Sequence, residues 1–272
     1  MMKAVPPECT VCAQSATKPD PFFYQWRGHH FGVYRCTECT HQFVHPPVTA
    51  EQQALIYDDR YFAKEGDWVC GLFSGGYVES EPALRREAQE ILAMLPPPSG
   101  RLLDIGCAGG TFLDQARQAG FDVAGIELNP AMAQYARVTY QLDVLNRRIE
   151  DVPEDTWGGG AFEIVTLLDC LEHVPQPLAT MKKVAHWLRP GGSVFIRGPL
   201  SNNPVARLKE GIRRTVRLTK QLPGYPLDAN MFNKRSLSAL LMTSGFDRPA
   251  WIDETTSFSN LLARRTARDA AG

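Results

Sequence analysis

The sequence predicts an α/β fold: a doubly wound, mainly parallel sheet preceded by a small cysteine-held module. Three observations predict it. From residue 100 onward, short apolar runs alternate with segments of helical periodicity. One of these runs, 101–105, ends in a small-residue turn and a helix, and the next ends at an acidic residue, Glu127. Ahead of both, Cys9-Thr-Val-Cys12 and Cys36-Thr-Glu-Cys39 form two C-x-x-C pairs.

The first 47 residues read as the cysteine module, a zinc ribbon. A tight knuckle at each pair turns two sulfurs to the same side, and four thiolates satisfy the tetrahedral preference of zinc with no position left open. Such a site is structural. Phe22, Phe23, Tyr24 and Trp26, then Phe31, Val33 and Tyr34, flank Gly28-His29-His30 as two short strands around a turn. So short a segment buries too little apolar surface to fold unaided, and the metal supplies the difference. His41 and His45 are alternative ligands, and iron is an alternative ion.

Residues 48–98 read as a linker, or lid, followed by a leading helix. Tyr57, Tyr61, Phe62, Trp68, Phe73 and Tyr77 make it aromatic, and Gly66, Gly71, Gly75 and Gly76 interrupt it. Leu84, Ala88, Ile91, Leu92 and Leu95 then recur at helical spacing, and Pro96-Pro97-Pro98 stops that helix. Residues 99–272 carry the alternation. Strands are expected at 101–105, 122–126, 162–168, 193–197 and 258–264. Helices are expected at 111–119, 130–140, 178–188 and 234–243, with Pro130 at a favourable first-turn position. A basic insertion is expected at 200–225. There Leu208, Ile212 and Val216 lie on one helical face among Arg207, Lys209, Arg213, Arg214, Arg217 and Lys220.

Composition narrows the function. Twenty-nine basic and thirty acidic residues leave a net charge of −1, so no global field calls for nucleic acid or an anionic membrane. An apolar share of 44% argues against a disordered chain. No apolar run approaches the roughly 20 residues of a membrane span, and Met1 to Glu8 lacks the basic-then-apolar pattern of a signal peptide. Paired C-x-x-C motifs among seven cysteines suit a reducing, cytoplasmic setting.

The chemistry concentrates at strand ends. In Leu103-Asp104-Ile105-Gly106-Cys107-Ala108-Gly109-Gly110, small residues let the backbone approach a ligand while the next helix directs N–H groups toward it. Glu127 can accept the hydroxyls of a ribose. This is a nucleoside-binding pattern open to both NAD and S-adenosylmethionine. Two features favour the latter: Ala108 and Thr111 replace the second and third glycines of the dinucleotide fingerprint, and Asp104 suits an ammonium group better than a pyrophosphate.

With these residues the chain resembles the class I S-adenosylmethionine-dependent methyltransferases. The segment 103–110 resembles their first motif, with Ala108 for the usual second glycine. Asp169-Cys170-Leu171-Glu172-His173-Val174 resembles their segment after the fourth strand, and Leu188-Arg189-Pro190-Gly191-Gly192 their turn before the fifth. The N-terminal ribbon followed by Tyr57-Asp58-Asp59-Arg60-Tyr61-Phe62 resembles a subgroup associated with sugar and secondary-metabolite methylation. Where that subgroup often carries a histidine, Leu227-Asp228-Ala229-Asn230-Met231-Phe232 has none. The resemblance implies a seven-stranded, Rossmann-like sheet and methyl transfer from S-adenosylmethionine to a small-molecule acceptor, such as a sugar nucleotide or a secondary-metabolite intermediate. It implies cofactor contacts from Asp104, Gly106, Cys107, Ala108, Gly110, Glu127, Leu128, Ile149, Glu150, Asp169 and Tyr77. The alternatives are a non-catalytic nucleoside-binding adapter and an NAD-dependent oxidoreductase.

Methyl transfer needs a base only when the acceptor must lose a proton, and His173 is the candidate. Glu172 reads as structural, and Cys107 and Cys170 as small packing residues. The basic insertion reads either as a solvated helix face or as a cationic rim for an anionic acceptor.

Overall fold

The computed structural model describes residues 6–58, 76–201, 221–222, 224–253 and 258–266. The basic segment 207–220, Tyr61, Phe62, Trp68 and Phe73 lie outside the described residues.

Strands are β1 (Thr17–Trp26), β2 (His29–Cys36), β3 (Gln42–His45), β4 (Arg101–Ile105), β5 (Asp122–Glu127), β6 (Val144–Asn146), β7 (Phe162–Leu168), β8 (Leu188–Pro199), β9 (Gln221–Leu222), β10 (Asn230–Met231), β11 (Ala250–Asp253) and β12 (Phe258–Arg264). Helices are α1 (Ala50–Ile56), α2 (Tyr77–Met94), α3 (Thr111–Gln118), α4 (Pro130–Tyr140), α5 (Pro177–Trp187) and α6 (Lys234–Thr243). The larger sheet has seven strands in the order β11-β12-β8-β7-β4-β5-β6. The chain starts at β4, runs outward through β5 and β6, and returns to place β7 on the other side of β4, parallel to it. That reversal is the doubly wound topology expected of the βα alternation. The buried positions of β4, β5 and β7 are apolar apart from Asp104, Thr166 and Glu127, as in a parallel sheet covered on both faces.

The chain divides into two compact units. One comprises residues 50–168, 183–196 and 264–272. Leu102, Leu103, Ile105, Leu113, Ile126, Ile164, Leu167 and Phe195 are among its most deeply buried side chains. The other unit comprises residues 1–49, 169–182 and 197–263. Its five-stranded sheet has the order β10-β3-β2-β1-β9. The expected hairpin is β1 paired antiparallel with β2. Sequence periodicity did not indicate β3, which pairs with β2, or the two-residue strands β9 and β10, which come from far along the chain to pair with β1 and β3.

Several boundaries differ from expectation for identifiable reasons. α2 starts at Tyr77 rather than 81 and carries Pro82 inside it, although a proline ordinarily marks a helix start. β8 runs extended from Leu188 through the segment read as a turn, 188–192, with only Gly191 at a left-handed φ of 77°. β6 and β11, of three and four residues, are too short for periodicity to reveal.

Candidate functional site

The turn between β4 and α3 is shaped by its own backbone. Gly106, Ala108 and Gly110 adopt left-handed φ angles of 80°, 47° and 84°. A glycine reaches this region freely, whereas an alanine does so at a cost of roughly 1–2 kcal/mol. The strain at Ala108 is offset by a specific contact: its N–H donates to Glu127 Oε2 at 2.8 Å. The other carboxylate oxygen accepts the Asn129 N–H at 2.7 Å. Glu127 is therefore fixed at the end of β5 by two backbone donors. Burial pushes its pKa up, and the N–H donors of Asn129 and Ala108 oppose that rise. Each carboxylate oxygen keeps a further acceptor site, the donor–acceptor chemistry that ribose hydroxyls require.

Asp104 is buried one strand away and accepts the Thr166 hydroxyl at 2.6 Å. Burial, aided by the nearby Glu127 charge, raises its pKa to about 7. Cys107 is buried beneath the turn. Tyr77, expected in the lid, is the first residue of α2 and packs under the turn. Its hydroxyl lies 2.8 Å from Thr111 Oγ1 and accepts the Thr111 N–H at 3.1 Å, satisfying a donor in the first turn of α3. A Cβ on Gly109 would lie 2.3 Å from the Tyr77 ring, so that ring dictates the glycine. Sequence reading did not single out Gly109.

Past β6, a short 3₁₀ turn runs over Ile149–Asp151. Lys183 holds it by donating to the carbonyls of Ile149, Glu150 and Val152 at 3.1, 3.2 and 2.7 Å. The Asn146 amide donates to the carbonyls of Glu127 and Leu128, each at 2.9 Å. The structure thus brings Tyr77, Asp104, Gly106, Cys107, Ala108, Gly110, Glu127, Leu128, Ile149 and Glu150 into one compact unit.

Asp169 and His173 belong to the other unit. Asp169 takes a left-handed φ of 50°, and its N–H donates to the Arg197 carbonyl at 2.9 Å. Arg197 Nε is 3.6 Å from Asp169 Oδ2. The 3₁₀ turn Leu171–His173 follows. Glu172 is buried, and its pKa stands well above the carboxylate range because of that burial and the neighbouring Asp169 charge. His173 Nδ1 lies 3.1 Å from the Leu227 carbonyl oxygen and 3.4 Å from Asp228 Oδ1. A carbonyl only accepts, so Nδ1 carries a proton, while Nε2 lies 3.9 Å from Glu172 Oε1. Asp228 and Asn230, unmarked by any motif, sit in the stretch that lacks the subgroup's histidine.

In the N-terminal sheet the four cysteine sulfurs Cys9, Cys12, Cys36 and Cys39 lie within 4.8 Å of one another. Cys9 and Cys39 are 3.6 Å apart, as are Cys12 and Cys36. Tetrahedral zinc with Zn–S bonds of about 2.3 Å requires S···S edges of about 3.8 Å, so the cage fits that ion. Hydrogen bonding from Cys39 lowers the Cys9 thiol to about 5, while burial raises Cys12 to about 11. Four adjacent thiols ionise together only around a cation. His41 lies outside the cage, fully buried, with Nε2 3.0 Å from Asn230 Oδ1.

Comparison with known proteins bears on these sites. The chain matches the family described as "Methyltransferase domain" over residues 79–248. It is 34% identical over 121 residues to a ubiquinone biosynthesis O-methyltransferase of Xanthomonas campestris pv. campestris, covering 43% of this chain and 49% of that protein. The match thus spans about half the length of such curated relatives. Among solved structures, the magnesium protoporphyrin IX methyltransferase of Synechocystis PCC 6803, bound to SAH, superposes with a TM-score of 0.56 at 17% identity. That match covers 79% of this chain and 100% of the other. A possible histamine N-methyltransferase of Thermotoga maritima gives a TM-score of 0.52 at 18% identity, covering 70% of this chain and 95% of the other. At such identities these two establish the likeness of fold.

Proposed function

Since this chain belongs to the methyltransferase-domain family, as a class I S-adenosylmethionine-dependent enzyme, we propose that it methylates a hydroxyl group of a small, anionic acceptor. The observation that carries the hydroxyl is the tautomer of His173: with Nδ1–H committed to the Leu227 carbonyl, Nε2 is a base able to take a proton. A hydroxyl acceptor needs such a base, whereas a free amine or thiolate does not. The O-methyltransferase names of the curated relatives point the same way.

The cofactor supplies a methyl group already activated on a sulfonium, so the protein's task is placement. Glu127, held by the N–H groups of Ala108 and Asn129, takes the ribose hydroxyls. Ile149, Glu150 and Leu128, braced by Lys183 and Asn146, take the adenine side, and Asp104 the amino-acid side. His173 takes the acceptor's proton as the methyl group transfers, and burial pushes the neighbouring Glu172 carboxyl toward its protonated form. Cys9, Cys12, Cys36 and Cys39 hold one structural zinc ion.

The test begins with calorimetry using S-adenosylmethionine, S-adenosylhomocysteine and NAD, followed by a screen of hydroxylated acceptors for methyl transfer. His173→Gln should lower kcat by about 10²–10⁴-fold, as loss of a general base does, with cofactor affinity unchanged. Turnover equal to the parent would show that the acceptor gives up no proton to His173. Binding of NAD alone would refute the cofactor reading. Elemental analysis should give one zinc per chain, lost in Cys9→Ser.

A further inference from the structure

The side chain of Asn230 is buried and makes three hydrogen bonds to three separate segments. Its Oδ1 accepts the Thr10 hydroxyl at 3.1 Å and lies 3.0 Å from His41 Nε2. Its amide nitrogen donates to the Val174 carbonyl at 2.6 Å. Thr10 is inside the first C-x-x-C knuckle, and His41 follows the second. The His41 carbonyl accepts the N–H of Cys36 at 2.8 Å. On the acceptor side of the amide, both contacts therefore belong to the surroundings of the cysteine cage. On the donor side, Val174 caps the 3₁₀ turn that carries His173, and its own N–H returns to Leu171 at 3.3 Å.

The same short segment grips that turn a second time. Leu227, three residues before Asn230, accepts from His173 Nδ1, and Asp228 lies beside that nitrogen. Backbone pairing of Asn230 with Phe43 in β10 and β3 anchors the segment to the module. An amide has a fixed donor end and a fixed acceptor end. Two contacts on the cysteine side thus orient the oxygen, and that orientation points the nitrogen at Val174. Neither the metal site nor the base explains why a buried asparagine stands at this position.

We propose that Asn230 is a positioning residue that couples the cysteine module to the His173 turn, so that an ordered cage fixes the orientation and tautomer of the imidazole. The module is then part of the acceptor-side apparatus and not only an appended stabiliser. The step from imidazole orientation to turnover rests on the assignment of His173 as base. The coupling itself does not.

The test is read on the full chain by ¹⁵N NMR of the histidine rings, with His173 identified through His173→Gln. The parent protein should show His173 with its proton on Nδ1. Asn230→Ala should convert that signal to an averaged mixture of tautomers. Thr10→Val, which removes one hydroxyl and keeps the tie to Val174, should shift it in the same direction by a smaller amount and serves if the alanine variant does not fold. With a working acceptor, Asn230→Ala should also lower kcat at least tenfold and leave the Kd for S-adenosylmethionine unchanged. His173 signals identical to the parent in both variants would overturn the proposal. If the ring responds as expected and no acceptor is ever methylated, the coupling stands and the assignment of the base falls.

Discussion

Two turns follow parallel strands in this protein, and they are held in opposite ways. The turn after β4 is shaped from nearby sequence: three left-handed residues within five positions, and a carboxylate, Glu127, that closes the next strand. The turn after β7 has one left-handed residue, Asp169, and is held from far away, by the Arg197 carbonyl, the Leu227 carbonyl and the Asn230 amide. The first carries its conformation in its own composition. The second borrows its conformation from segments 28 to 56 residues further on. The first turn still draws support from Tyr77, 34 residues before Thr111, but the second is only as fixed as the elements that reach it.

The largest expected effect concerns a feature the two turns share, a carboxylate driven upward by burial: Asp104 on the strand before the first turn and Glu172 within the second. In the unfolded chain Asp104 ionises near 3.8, and in the folded chain at about 7. The folded state binds the extra proton in that interval. Its contribution to stability is complete below about pH 4 and is lost as pH rises through about 7, on the order of 4 kcal/mol for the ionised group. Asp104→Asn keeps an acceptor for Thr166 and removes the ionisation. Its denaturation free energy should fall less steeply between about pH 4 and 7 than the parent's and exceed it at about pH 8. An unchanged slope would mean that Asp104 is not the group titrating.

Next in size is Gly109→Ala. The new methyl group would meet the Tyr77 ring at 2.3 Å and Tyr135 at 3.0 Å. Overpacking of this kind costs about 1–3 kcal/mol. Adding Tyr77→Ala should make the glycine substitution nearly free, and a double-mutant cycle measures that coupling. Additive effects would show that the ring does not set the turn.

Glu127→Ala should weaken S-adenosylmethionine binding by about 1–3 kcal/mol, the range for charge-assisted hydrogen bonds. Glu172→Gln, in the other turn, should change that affinity less than about twofold. Calorimetry on the pair separates the turn that binds the cofactor from the turn that serves the acceptor. Equal losses in both would erase the distinction.

The smallest effect is expected at Ala108→Gly. Relief of the left-handed strain is offset by the greater freedom of glycine in the unfolded chain, so the denaturation midpoint should move by less than about 1 kcal/mol equivalent. A loss above about 2 kcal/mol would mean that the alanine methyl group itself supports the turn.

The reach of the sequence follows the same division. Helices 130–140 and 234–243 and strands 162–168 and 258–264 coincide with the structure to the residue. In α4 the reason is local: Asn129 caps its first turn at Met132, and proline occupies its first position. In α6 the Asn233–Ser236 capping box does the same. The four-cysteine cage and the Gly106–Glu127 cradle were legible because thiolate spacing and glycine placement are constraints within short stretches. Tyr77 as a support for Gly109, the strands β9 and β10 added to the N-terminal sheet, and the Asn230 junction were not. By itself the sequence determined the βα alternation, the small-residue turn after β4 with its acidic partner Glu127, and four sulfurs able to meet. Only the tertiary structure decided which carboxylates burial drives upward, which backbone carbonyl His173 Nδ1 faces, and what ties its turn to the cysteine module. Burial and the direction of a distant hydrogen bond arise from packing between segments, and no local pattern of residues encodes them.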